Sequence, residues 1–170
     1  MSAHSRHGRQ GLAVVELTMV LPLLLVLFFG IVDLGRIVLT RQVLINISRE
    51  ASNLASRGTA PADAVAAVQI SAQPLNMSVN GYVILTEVYR DINNKTTVRS
   101  QAKGGGYPMG SRIGAAVGAA AVLPATAVAI PPIGQSVFVT EVYYHSIPIT
   151  PLGNLINTSI GDKFYDVAFF

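Results

Sequence analysis

One carboxylate, Glu16, lies inside an almost uninterrupted apolar run, which is an expensive place for a charge. The run covers residues 12–32 and is otherwise interrupted only by Thr18 and Pro22. An acidic side chain at the centre of a membrane helix costs about 2.5–3.5 kcal/mol on insertion scales. Two explanations are open. Either Glu16 is near enough to the start of the run to reach the lipid interface or the positive helix end, or it gains a cationic partner.

Cleavage of the chain after Gly11 would supply such a partner. The new amino terminus on Leu12 would carry a positive charge one helical turn before Glu16. Pairing of the two charges, within one helix or between subunits, would offset the cost of burying the carboxylate. In an assembly of such helices the pair would also set their axial register, as one polar residue does in an apolar coiled-coil seam.

A pair of acidic residues farther along the chain could carry out acid–base catalysis. The tetrapeptide Thr-Glu-Val-Tyr occurs at 86–89 and at 140–143, so Glu87 and Glu141 could be the two carboxylates of a hydrolase. Both lie in the middle of alternating strand patterns, where a solvated polar position is the default. Two similar strands paired in one sheet also explain the repeat. We therefore expect no enzyme activity.

Other chemistry is sparse, and we expect no cofactor and no metal site. The chain has no cysteine, His4 and His7 precede the apolar run, and His145 stands alone, so imidazoles and thiolates cannot form a cluster. The GxSxG motif of a serine hydrolase does not occur.

The apolar run has the length of a membrane helix. Residues 12–32 match the roughly 20 residues that span a bilayer as helix, and a short basic segment with Arg6 and Arg9 precedes them. No small-x-small site for ordinary signal peptidase follows the run, so we expect the helix to stay in the mature protein. Basic residues flank both ends, and their count does not decide the orientation.

The helix is expected to continue beyond the membrane. Apolar or small residues recur along residues 33–57 with the three- and four-residue spacing of an amphipathic helix, at positions 34, 37, 38, 44, 45, 47, 51, 54 and 55. Gly58 and Pro61 predict its end. The second half therefore needs a partner surface.

The positive charge of the chain does not indicate nucleic acid binding. The net charge is +3, with twelve Lys and Arg against nine Asp and Glu, and two of the basic residues, Arg6 and Arg9, lie ahead of Gly11. A chain that starts at Leu12 is almost neutral, and the composition is 51% hydrophobic and only 12% charged. This profile is typical of a chain that folds or inserts into a membrane.

The distal residues predict a small α+β domain. Residues 59–73 predict a short helix, 82–103 a hairpin, and 107–135 a loop with one short helix or strand, because glycines and prolines divide it. Residues 135–149 and 162–170 have strand composition. The expected divisions are a basic leader at 1–11, a long N-terminal helix at 12–57 with its transmembrane part at 12–32, and an α+β domain at 58–170 with an antiparallel sheet of about four strands.

A glycine before an apolar stretch with glutamate at its fifth place, after a basic leader, resembles the processing signature of type IV pilin-like proteins. Residues 11–36 resemble more narrowly the TadE-like pseudopilins of the tight-adherence (Tad, or Flp) pilus system, and the likeness continues into "REASNLASRG". The pattern departs at Leu17, where TadE-like proteins usually have phenylalanine. The residues that carry the likeness are Gly11, Glu16, Leu21, Pro22, Gly30, Gly35 and Arg36.

This resemblance implies cleavage between Gly11 and Leu12 by prepilin peptidase, with Glu16 and Leu17 in processing or assembly. It implies a minor pilin or pseudopilin that takes part in assembly of a Tad pilus for surface attachment. The implied partners are the peptidase, other pilins and pseudopilins, the inner-membrane assembly platform and membrane lipid. The implied location is the bacterial inner membrane, crossed once, with the C-terminal domain extracytoplasmic, or extracellular within the pilus. The alternative is a single-pass anchored extracytoplasmic binding protein that never joins a filament.

Overall fold

The chain forms four helices and four strands in the residues that the structure describes. A computed structural model describes residues 6–123 and 130–170, with side chains for all of these except 6–12, 155–157 and 160. The elements are α1 (Arg6–Ser56), α2 (Pro61–Ser71), α3 (Met77–Asn80), β1 (Gly81–Arg90), β2 (Thr96–Gly105), β3 (Ser136–His145), α4 (Gly153–Ile160) and β4 (Lys163–Phe169). The predicted α+β class is confirmed.

The four strands form one antiparallel sheet in the order β2-β1-β3-β4. β1 and β2 make the predicted hairpin, whose tight turn is held by Asp91, because its carboxylate accepts the backbone N–H groups of Asn93 and Lys95 at 2.9 and 2.7 Å. β3 then pairs with the other edge of β1, so the long connection after β2 must cross the sheet. β4 completes the sheet beside β3.

Helix α1 changes character along its length. Residues 13–28 are exposed on every side, whereas the buried positions beyond residue 36 recur every three or four residues, at 37, 40, 44, 47, 48, 51, 52 and 55. The helix ends at Ser56, because Gly58 has φ +93° and the N–H groups of Gly58 and Thr59 bond the carbonyls of Ala55 and Leu54. The predicted long helix is confirmed. Of the nine positions predicted to form its one-sided half, 37, 44, 47, 51 and 55 are buried and 54 is half-buried, whereas Leu34, Val38 and Ile45 are exposed, because the buried stripe includes Thr40, Ser48 and Ser52 instead.

The chain divides into two compact units. One consists of Met1–Ile37 and Ile147–Gly161, and the other of Val38–Ser146 and Asp162–Phe170. The sequence divisions at residues 11, 57 and 58 remain predictions.

In the unit formed by Val38–Ser146 and Asp162–Phe170, both faces of the sheet are covered. On one face α1 meets the sheet through hydroxyl groups: Ser52 lies 2.6 Å from the Thr140 hydroxyl, and Ser48 donates to the carboxylate of Asp166. Helix α2 approaches the same sheet at Gly104, where an added Cβ would collide with the Val65 side chain. This face therefore depends on small and polar residues as well as on apolar ones.

The other face carries an apolar cluster and a long loop. The cluster consists of Val88, Val98, Ile113, Ala121, Val137 and Val139. The loop was predicted to hold one short helix or strand, and its described parts, 107–123 and 130–135, contain no helix and one isolated bridge between Ala120 and Thr97. Residues 110–123 thus complete a core without regular structure.

Candidate functional site

The predicted processing residues all lie in α1. The helix begins at Arg6, ahead of Gly11 and Leu12. The structure does not describe the side chains of these two residues. The next two predicted residues are exposed: Glu16 extends from the helix surface, and the Leu17 side chain is 60% exposed. In the described part of the chain Glu16 has no hydrogen bond or ion pair. Its carboxylate is therefore available to a group that another molecule, or a new chain end, would supply.

The surface around Glu16 is apolar in all directions. Every large apolar side chain at positions 14–28 is exposed, from 45% at Leu25 to 76% at Met19. A contiguous apolar surface of this size is not stable in water and indicates lipid or protein contact. The helix is long and apolar enough to cross a membrane. It fits a single-pass membrane anchor.

Two local features modify this apolar segment. Pro22 lies inside the helix and has no N–H to donate to the carbonyl of Thr18. The Thr18 hydroxyl instead donates to the Val14 carbonyl, one turn earlier, at 2.7 Å. The hydroxyl is thus satisfied within its own helix, and Glu16 is the one side chain in this stretch with an unmet polar requirement among the described residues.

The second predicted site, the carboxylate pair, does not form. Glu141 on β3 pairs with Ile84 on β1, whereas Glu87 pairs with Phe138. Ile84 and Glu87 are three residues apart on one strand, so their side chains are on opposite faces of the sheet. The two glutamates therefore cannot act on one substrate. The two Thr-Glu-Val-Tyr segments do lie on adjacent strands, which confirms that explanation of the repeat.

Glu141 is completely buried, so the expectation of a solvated position was wrong. Its Oε1 accepts the Arg112 backbone N–H at 2.8 Å and the Tyr143 hydroxyl at 3.0 Å, and its Oε2 accepts the Ser111 hydroxyl. The Tyr165 hydroxyl is 3.3 Å from Oε1. We name these groups the Glu141 cluster: Ser111, Arg112, Glu141, Tyr143 and Tyr165. A buried carboxylate with this many donors is stabilised in place, and it fixes the loop onto the sheet.

Strand periodicity could not find this cluster. The alternating pattern of β3 predicts that Glu141 faces away from the side occupied by Thr140. It does not predict that a glycine-rich loop, with Ser111 and Arg112, covers that second face. The sequence did contain one indication that both faces of this strand are covered, because apolar residues predominate on both faces of "SVFVTEVYYH".

The two tyrosines of the Glu141 cluster are held in the neutral form. Burial, followed by the adjacent charge of Glu141, raises the pKa of Tyr143 and of Tyr165 above the ordinary tyrosine value. The rings lie 4.9 Å apart, and the guanidinium of Arg112 lies 4.1 Å from the Tyr165 ring centroid. This cation partly offsets the increase in both pKa values.

Glu87, on the opposite face, connects three strands. Its carboxylate accepts the hydroxyl of Ser100 on β2 at 3.0 Å and that of Ser136 on β3 at 2.8 Å. Arg99 lies 3.6 Å away, but its side chain is 63% exposed, so this ion pair contributes little. Glu87, like Glu141, therefore holds parts of the domain together through its hydrogen bonds.

Metal-ligating groups do not converge in the described residues. Within 6–123 and 130–170, no group of three or more His, Asp or Glu side chains has a spacing that could hold a metal ion. His145 lies 3.7 Å from the carboxylate of Asp162 and stacks obliquely near Tyr107. An open groove lies beside the end of α2 and is lined by Ala66, Gln69, Ile70, Gln73, Pro74, Leu75, Asn76, Met77 and Ser78.

Comparison with known families identifies one match. Residues 11–53 match the family described as TadE-like protein, and the matched segment lies entirely within α1. The resemblance seen in the sequence is confirmed over this segment. Neither the curated proteins nor the solved structures gave a match to the chain.

The Glu141 cluster predicts that Glu141→Gln destabilises the domain. The amide would place an N–H₂ group against donors, so at least one buried hydrogen bond is lost, at a cost of about 1–3 kcal/mol. Urea unfolding of the detergent-solubilised chain, followed by circular dichroism, measures this. The matched control is Glu87→Gln, whose carboxylate is partly solvated, and we expect a smaller loss. An equal or larger loss for Glu87→Gln would contradict the assignment.

The raised tyrosine pKa values predict a loss of stability at high pH. Each tyrosine ionises less readily in the folded chain than in the unfolded chain, so this stabilisation is complete below the unfolded value of about 10 and declines as the pH rises above it. Ultraviolet absorbance of tyrosinate during a pH titration should show delayed ionisation that disappears in urea. The double variant Tyr143→Phe, Tyr165→Phe should lose the delayed fraction. Its persistence in this variant would refute the prediction.

Proposed function

We propose that this chain, TadE-like over residues 11–53, is a minor pilin or pseudopilin of a Tad (Flp) pilus and takes part in pilus assembly. The observation that carries the proposal is that the family match covers the part of α1 whose apolar side chains are exposed on every side. Such a surface is stable in lipid and equally in a bundle of similar helices. A subunit that moves from membrane to filament needs both properties.

Processing would complete the environment of Glu16. Cleavage by prepilin peptidase between Gly11 and Leu12 removes the start of α1 and leaves an ammonium group at Leu12. This group lies about 6 Å along the helix axis from Glu16. It would pair with the carboxylate of its own helix or of a neighbour, and the pair would position adjacent subunits. Leu17, next to Glu16, would contribute to recognition by the peptidase.

The chain is proposed to assemble and not to catalyse. TadE-like pilins are in general not enzymes. Consistent with this, Glu87 and Glu141 lie on opposite faces of the sheet and are bonded to protein donors. The proposed partners are prepilin peptidase, other pilins and pseudopilins of the system, the inner-membrane assembly platform and membrane lipid.

We place the chain in the bacterial inner membrane, crossing it once. The distal α+β domain would then be extracytoplasmic, where it could join a filament or support its assembly at the cell surface. The alternative is an anchored binding protein that remains outside any filament. The observation that favours it is the open groove beside α2. The two functions differ in whether the first eleven residues are removed.

Mass spectrometry of the amino terminus tests the proposal directly. Chain purified from cells with an active prepilin peptidase should begin at Leu12, and chain from cells without the peptidase should begin at residue 1 or 2. Glu16 and Leu17 are unchanged in both samples, so the comparison isolates cleavage. An intact leader in the first sample would favour the anchored binding protein.

The role of Glu16 predicts that Glu16→Gln spares membrane insertion but reduces assembly. Glutamine retains the size of the side chain and leaves the Leu12 ammonium without a counter-charge, a loss of roughly 3–5 kcal/mol where the pair is buried. We expect at least about a tenfold fall in sheared pili, measured by quantitative immunoblotting, with equal amounts of chain in the membrane.

Thr18→Val is the matched control for Glu16→Gln. It removes a polar group from the same stretch, but one whose hydrogen bond is already made within its own helix, so pili should form normally. Normal piliation in Glu16→Gln, or an equal defect in Thr18→Val, would exclude the proposed ion pair.

A further inference from the structure

A second carboxylate, Asp33, marks the other end of the apolar run, and its environment differs from that of Glu16. The Asp33 side chain is only 5% exposed and accepts a hydrogen bond from the Thr150 hydroxyl. It also lies beside the first residue of α4, since a Cβ placed on Gly153 would be 3.1 Å from Oδ2. A carboxylate is favoured at a helix N-terminus, where backbone N–H groups are unpaired.

The segment bonded to Asp33 is unusual for a surface segment because it has no charge. Residues 146–161, "SIPITPLGNLINTSIG", contain no Asp, Glu, Lys, Arg or His, although His145 precedes them and Asp162 follows. Within this segment Ile147 is 51% exposed and Ile149 is 65% exposed. Single exposed apolar residues are ordinary, but these two are two positions apart in a stretch that has no charged side chain and is bonded to Asp33 at the end of the apolar run.

The depth of this segment follows from the length of the helix before it. Residues 13–32 rise about 30 Å as α-helix, which equals the thickness of the hydrocarbon layer. Asp33 therefore comes at the boundary between hydrocarbon and headgroups. Residues 147–161 belong to the same compact unit as the apolar run and are bonded to Asp33 through Thr150. They are thus held at the same depth.

We propose that residues 147–161 form an interfacial lipid-binding segment, in which Ile147 and Ile149 enter the headgroup and acyl boundary and the Asp33–Thr150 hydrogen bond sets their depth. The occupant is a lipid surface because the segment is bonded to Asp33 at the end of the apolar run and has no charged side chain for a polar partner. Interfacial segments of this kind enter the boundary by about 5–10 Å. The proposal rests on the membrane span, and it does not depend on leader cleavage or filament entry.

Single-cysteine labelling of the full chain tests this inference, since the chain has no cysteine of its own. The Ile149→Cys variant is labelled with an environment-sensitive fluorophore and reconstituted into liposomes of phosphatidylcholine and phosphatidylglycerol. These liposomes also contain lipids that are spin-labelled near the headgroup, which quench a fluorophore at that depth. Ile92→Cys is the matched control, because Ile92 is an isoleucine at the β1–β2 turn with 80% exposure. Leu24→Cys, with lipids spin-labelled deep in the acyl chain, reports the span itself.

We expect the shallow spin label to quench the label at 149 at least about threefold more than the label at 92, as for an interfacial side chain. The label at 92 should be quenched by aqueous iodide instead. Quenching of the label at 149 by iodide alone would show that residue 149 lies in water, and quenching by neither reagent would indicate a protein neighbour. Either result would overturn this inference and leave the proposed function standing. Lack of quenching at 24 would overturn the membrane span and, with it, both this inference and the proposed function.

A separate variant tests whether the Asp33–Thr150 hydrogen bond sets the depth of the segment. Thr150→Val removes the hydroxyl that Asp33 accepts while keeping the shape of the side chain. In the labelled Ile149→Cys chain, this change should reduce quenching by the shallow lipid by about half, because the segment is no longer held at the boundary. Unchanged quenching would refute the role given to Asp33.

Discussion

One helix, α1, must satisfy two different surroundings, and the rest of the structure follows from this constraint. Residues 13–28 have no covered face, whereas the segment from residue 37 to residue 55 is buried along one stripe. An apolar surface on all sides has no stable arrangement in water, so the first segment requires lipid or other helices. A one-sided helix requires a sheet or helix of its own chain, and the antiparallel sheet supplies it.

Three carboxylates in or beside apolar surroundings have different environments: Glu141 and Asp33 are buried, and Glu16 is exposed on an apolar helix surface. Glu141 is satisfied entirely within the domain, by a backbone N–H and side-chain hydroxyls. Asp33 is satisfied within its own unit, by the hydroxyl of Thr150, which precedes α4. Glu16 has no partner in the described part of the chain. A buried carboxylate needs donors close by, which Glu141 and Asp33 find within the chain, whereas the exposed Glu16 is open to a group from outside it.

In the unit formed by Val38–Ser146 and Asp162–Phe170, packing and hydrogen bonds join segments that are distant in sequence. Its sheet is covered on one face by helices and on the other by a loop that the Glu141 cluster fixes in place. Both glutamates that could have done acid-base chemistry are used to join segments distant in sequence: Glu87 joins β1 to β2 and β3, and Glu141 joins β3 to the loop.

The sequence by itself determined the elements whose signals are local. The length of the apolar run, the spacing along residues 33–57, Gly58 as a helix stop and the strand composition around 82–103, 135–149 and 162–170 each depend on neighbours within a few residues. The strands of the structure lie within the last two segments, at Ser136–His145 and Lys163–Phe169. For this reason the long helix, the hairpin and the α+β class were all predicted correctly, and the resemblance to TadE-like proteins was recognised from residues within α1.

Only the tertiary structure decided which polar residues are buried. Thr40, Ser48 and Ser52 occupy the buried stripe of α1, although a hydrophobic pattern omits them, because hydroxyl groups of Ser48 and Ser52 bond to the sheet. The burial of Glu141 depends on a loop thirty residues earlier, and the bond between Asp33 and Thr150 joins residues 117 positions apart. Periodicity reports which face a side chain occupies, but the partner that covers that face is chosen by long-range packing.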